Sequence, residues 1–164
     1  MMKNLTVYLY LEPYLQQWLR HSLGEPVRFP PQSYENHLLR NLLQRTPTIN
    51  SHHTIPYGRD AQCIAVVIPD NAHHRPEYYH HLSRRAHALM VRAIESLFRI
   101  HLWSDLSPII YSHQPLNQAI DEWCEQHNID IDYREGVRQK FYRMRRSYEA
   151  YGIILGKKKC HKRG

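Results

Sequence analysis

Leu5-Thr6-Val7-Tyr8-Leu9-Tyr10-Leu11 alternates along its whole length. Leu5, Val7, Leu9 and Leu11 point one way and Thr6, Tyr8 and Tyr10 the other, the two-residue period of a strand with one face in a core. A second run, Cys63-Ile64-Ala65-Val66-Val67-Ile68-Pro69, is apolar and rich in β-branched residues. It reads as a buried strand and as the sheet partner of the first. The remaining periodic segments are helical, so the expected class is α+β. A small N-terminal sheet with packed helices is followed by a helical, helix-turn-helix-like C-terminal part and a disordered basic tail.

Glu12-Pro13 ends the first strand, and proline suits the first turn of a helix because its missing N–H is unpaired there anyway. Leu15, Trp18, Leu19 and Leu23 follow helical spacing up to a stop at Gly24. Val27 to Phe29 is a short extended piece. Ser33 caps the next helix, whose stripe is Leu38, Leu39, Leu42 and Leu43 and whose end falls near Gln44. Residues 46 to 61 read as a long loop. After a turn from Asp70 to Pro76, Ser83 caps the most periodic helix, with Ala86, Leu89, Met90, Ala93, Ile94, Leu97 and Phe98 on one stripe. Ile100, Leu102, Trp103 and Leu106 fall out of that phase, which predicts a kink or a second short helix, followed by a link from Pro108 to Tyr111.

From Pro115, the residues Leu116, Ala119, Ile120, Trp123 and Cys124 mark one face of a helix ending near His127. Asn128 to Asp132 is expected to turn with Ile129 and Ile131 inward, and Asp132 to cap a last helix that runs to Tyr151. The expected organisation is a core domain over 1–107, a helical nucleic-acid-binding part over 108–152 and a basic flexible tail over 153–164. No Gly/Ser linker separates the first two, so they are free to share one core.

Charge is distributed unevenly. Tyr133 to Gly164 carries eleven Lys or Arg against two acids, while the rest of the chain carries eleven against thirteen. Such asymmetry concerns association with polyanions, although a solubilising tail gives the same count. No apolar run reaches the ~18 residues of a membrane span, and Met1 to Leu11 lacks the pattern of a secretory signal. A cytoplasmic protein that does not engage a membrane is the expectation. The three scattered cysteines, Cys63, Cys124 and Cys160, make no disulfide framework and fit a reducing compartment.

On a helical wheel the last helix places Val137, Phe141, Met144 and Tyr148 in one narrow sector that faces a core. The other side carries Arg138, Gln139, Tyr142, Arg143 and Arg146, with Arg134 and Arg145 flanking and only Glu135 and Glu149 opposing the charge. A helix built only for solubility mixes signs and gains i, i+4 pairs. Arginine instead offers a planar fork that grips phosphate or a guanine edge at two points. A short amphipathic helix, a polar turn and a basic helix together resemble the helix-turn-helix of small DNA-binding proteins of phages and mobile elements. The residues that carry this are Leu116, Ala119, Ile120 and Trp123, then Val137 and Phe141. Ala119 lies 18 residues before Val137, longer than the compact motif allows. The resemblance covers only the C-terminal part.

Nucleic acid, DNA before RNA, is therefore the expected partner, in a non-enzymatic and regulatory role without a cofactor. The DNA-binding residues expected are Arg134, Arg138, Gln139, Tyr142, Arg143, Arg146, Lys157, Lys158 and Lys159. The tail lysines would act as non-specific anchors that steepen salt dependence. Docking on an acidic protein is the alternative. Tyr8 and Tyr10 form a candidate homodimer surface.

Thirteen histidines include the pairs His52-His53, His73-His74 and His80-His81. No Cys-x-x-Cys or His-Glu-x-x-His accompanies them, so loop histidines are expected rather than a metal site. Asp70 at a strand end beside His73 and His74 leaves a metal-dependent nuclease as a further alternative, although a turn-forming Asp is the commoner case. No Gly-rich phosphate loop is present.

Overall fold

In the computed structural model, which describes residues 4–47 and 63–151, the N-terminal alternation forms β1, Thr6–Tyr10. It pairs antiparallel with β2, Cys63–Val67, giving the α+β class its two-stranded sheet. Val7 lies opposite Val66 and Leu9 opposite Ile64, and all four side chains are buried. The other face is half open, with Tyr8 opposite Ala65 and 45% exposed. Cys63 and Ala65 share that face with Tyr10 and Tyr8, so they are only half-buried despite the apolar run in which they sit. Val27 extends β2 on its other edge: its N–H donates to Ala65 O and its carbonyl accepts from Val67 N, each at 2.8 Å.

Helix α1, Pro13–Leu23, opens on its proline and stops at Gly24, where φ of 77° lies in a region that favours glycine. Leu15, Trp18 and Leu19 are buried, and the buried Gln16 amide donates to Leu11 O at 2.9 Å. Helix α2, Tyr34–Leu42, is capped by Ser33, whose hydroxyl accepts from Asn36 N at 3.2 Å. Of its leucines only Leu39 is fully buried. Most of the loop expected over 46–61 lies outside the described residues.

Helix α3, Arg84–Leu106, starts on a Ser33-like cap, with Ala86 N donating to the Ser83 hydroxyl at 3.1 Å. It is one helix throughout, so the second short helix expected after Phe98 does not form. Ala86, Met90, Ile94, Phe98, Leu102 and Leu106 are all buried and spaced by four. Four residues turn a helix by about 400°, so this row drifts by about 40° per step. A template fixed to one face loses the phase after Phe98 although the helix does not break. Leu89, assigned to the stripe from sequence, is 36% exposed. His87 ties α3 to β1, its Nε2 accepting from Tyr10 N at 3.0 Å.

The chain divides into two compact units, Met1–Ser96 and Leu97–Gly164, and the division falls inside α3. In the second unit a 3-10 turn over Ser107–Tyr111 leads to α4, Leu116–Gln126, and then α5, Ile131–Ala150. Asn128, at φ 61°, ends α4 in a Schellman motif, with Ile129 N donating to Cys124 O and Asn128 N to Glu125 O. Ile129 is buried beneath that turn, whereas Ile131 is 73% exposed, so only one of the two isoleucines turns inward. The N-cap residue of α5 is Asp130, two positions before the expected Asp132, which lies in the first turn.

Ala119, Ile120, Trp123 and Cys124 of α4 are buried together with Phe98, Leu102, Val137 and Phe141. Trp103 stacks on Phe141 with ring centroids 5.2 Å apart and meets Tyr148 at 4.7 Å. Tyr148, expected in the core sector, remains 37% exposed on its other side. Trp123 donates its indole N–H to Asp105 at 2.8 Å. Among the described residues no helix is long and apolar enough to cross a membrane.

Candidate nucleic-acid interface

Val137 and Phe141 fix the rotation of α5 by burying one side of it. The opposite side then presents Gln139, Arg143 and Arg146 to solvent, with Tyr142 and Arg138 half-buried beside them. These five residues, together with Asn117 of α4 and Glu135, line one solvent-facing cavity of about 330 Å³. Tyr142 is anchored there, donating its hydroxyl hydrogen to Asn117 Oδ1 at 2.7 Å.

Arg138 is engaged internally. Its Nε and one terminal nitrogen donate to the two oxygens of Asp121 at 2.9 and 2.6 Å, and the other terminal nitrogen donates to Glu135 Oε2 at 3.0 Å. The Asp121 hydrogen bond holds the Arg138 guanidinium above its ordinary pKa. The fork that sequence assigned to a ligand is thus spent on tying α5 to α4. Arg145 pairs with Glu149 at 3.2 Å along the helix. Among the described residues no such ion pair engages Arg143 or Arg146. They are the cations the surface offers.

Arg134 does not join this cavity. It is half-buried, its Nε is enclosed without a hydrogen-bond partner among the described residues, and its charge acts on Cys124. Burial pushes the Cys124 thiol up to about 11, against the smaller opposing pull of Arg134. Lys157, Lys158 and Lys159 lie outside the described residues.

Three participants were not assigned a site role from sequence. Glu135 is legible as an i, i+3 partner of Arg138, a spacing that places the pair on one helical face. Asn117 and Asp121 sit on another helix, and no local pattern marks them.

The histidine loop is organised differently. Asn71 Oδ1 accepts from His73 N at 3.1 Å and from His74 N at 3.4 Å, a side-chain turn that exposes both rings. His74 leans on Tyr79, and His81 forms a bridge with Gln44. Among the described residues, no three His, Cys, Asp or Glu side chains gather in a way that would hold a metal ion. His52 and His53 lie outside the described residues.

No protein family, curated protein or solved structure matches this chain.

Proposed function

We propose that this chain is a non-enzymatic nucleic-acid-binding protein of the cytoplasm, with DNA as its ligand and the solvent-facing side of α5 as its contact surface. The observation that supports this most is the cluster of Arg143 and Arg146, outside any carboxylate pair among the described residues, beside Gln139 and Tyr142 around one cavity. Two arginines a helical turn apart suit neighbouring phosphate oxygens. Gln139 and Tyr142 add an amide and a ring of the kinds that meet bases. The tail lysines belong to the proposal as non-specific anchors.

The test is fluorescence anisotropy of labelled duplex and single-stranded DNA across a salt series. The wild type should bind with affinity that falls steeply with salt. Arg143→Ala with Arg146→Ala should flatten the salt slope by about two and leave the fold intact, because each phosphate contact contributes about one. Absence of binding at low salt to any strand would reject the proposal and direct the search to acidic proteins.

A further inference from the structure

The shape of the α4/α5 cavity narrows the ligand beyond a generic polyanion. A helix that enters the major groove does so as a ridge standing clear of its neighbours. Here the same residues form the wall of a hollow that Asn117 of α4 helps to line, and Tyr142 is tethered to that asparagine. A volume of about 330 Å³ is at the small end of ligand pockets, the scale of a single nucleotide rather than of a duplex edge.

The lining is also polarised. Along α5, at about 1.5 Å per residue, Glu135 lies about 6 Å before Gln139, and Arg143 about 6 Å beyond it, with Arg146 one turn further. Charge therefore runs from a carboxylate beside the already paired Arg138 guanidinium, through an amide, to two further cations. Glu135 gives one oxygen, Oε2, to Arg138 and remains 66% exposed. A nucleotide has the complementary order, an anionic phosphate at one end and a base edge at the other. A carboxylate accepts from the N4 amino group of cytosine, and an amide pairs with the N6 and N7 edge of adenine. Thymine carries the O4 acceptor where cytosine carries its N4 amino group, and a carboxylate gains no hydrogen bond there.

We propose that this cavity is a subsite for one unpaired nucleotide carrying an amino-bearing base, with its phosphate on Arg143 and Arg146 and its base edge toward Gln139 and Glu135. The assignment rests on the nucleic-acid reading above and specifies its ligand. Glu135 is then a specificity-determining residue, not an incidental acid on a basic helix.

The experiment compares full-length wild type, Glu135→Gln and Gln139→Ala by anisotropy with short labelled dC, dA and dT homopolymers and a mixed-sequence duplex at one salt concentration. Wild type should prefer dC over dT by about fivefold or more, the low end of one base-edge contact. Glu135→Gln, which keeps an acceptor for Arg138 but adds a donor, should bring the dC to dT ratio towards one whatever it does to overall affinity. Gln139→Ala should reduce the preference for dA. Circular dichroism checks that both variants fold. Equal affinity for all homopolymers with salt-sensitive binding intact would overturn the subsite and leave the nucleic-acid reading standing. Tighter binding of duplex than of every single strand would also overturn it. Absence of binding to any of the four probes would remove both.

Discussion

Arg138 on α5 grips Asp121 on α4 through both carboxylate oxygens, at 2.9 and 2.6 Å, across the turn that joins the two helices. Both side chains are about 30% exposed, and the two-point geometry fixes the rotation of one helix against the other. The density of arginines along α5 therefore overstates the charge available to a ligand, because this guanidinium is already paired.

Releasing it should be measurable. Asp121→Asn is expected to cost about 1 kcal/mol of stability, as for a well-formed partly exposed pair. It should also tighten polyanion binding and steepen the salt slope by about one. Urea denaturation and anisotropy across a salt series read the two effects separately. A slope that stays unchanged would mean Arg138 has no access to the ligand even when freed.

Phe141 is fully buried and stacked on Trp103 at 5.2 Å. Phe141→Ala should destabilise the C-terminal unit by about 3–5 kcal/mol through lost transfer energy and a residual cavity. Gln139→Ala, on the exposed side of the same helix, should stay within about 0.5 kcal/mol of wild type. Guanidinium denaturation followed by tryptophan fluorescence compares them, and similar midpoints would contradict the burial assigned to α5.

Acid should weaken the N-terminal unit through His87. Burial lowers its pKa from 6.5, and its Nε2 accepts the Tyr10 N–H. A protonated ring has no lone pair to offer there. The unfolded chain binds the proton more readily, so this contribution to stability is complete above pH 6.5 and is lost as pH falls below it. Melting temperatures between pH ~5 and ~7.5 should show the decline, and His87→Gln should flatten it. An equally steep profile in the variant would assign the acid sensitivity elsewhere.

Cys124 should be inert in the folded protein. Its thiol is fully buried and raised to about 11 from the usual 9.0. Its thiolate fraction near pH ~8 is then about a hundredfold below that of an ordinary cysteine. Cys63 is only half-buried. Alkylation followed by peptide mass spectrometry should label Cys63 first and Cys124 only on denaturation. Comparable native labelling of both would show that α4 is not packed as described.

Features that live within a few residues of one another were legible from local chemistry alone. The two-residue period of Leu5 to Leu11 made a strand, Gly24 stopped α1, and Ser33 and Ser83 capped α2 and α3, because periodicity and capping are short-range effects of backbone geometry. The same locality placed Gln139, Arg143 and Arg146 on the side of α5 away from Val137 and Phe141. Tertiary structure decided what depends on neighbours distant in sequence. It kept α3 continuous by letting its buried row drift round the helix, and it turned Ile129 inward and Ile131 outward through the Schellman turn at Asn128. It also bound Arg138 to Asp121 and brought Asn117 to the cavity. Charge and residue type say that an arginine seeks an anion. Only the packing of α4 against α5 brings Asp121 within reach of Arg138, because a charged hydrogen bond depends on a separation of a few ångströms that no sequence spacing across a turn encodes.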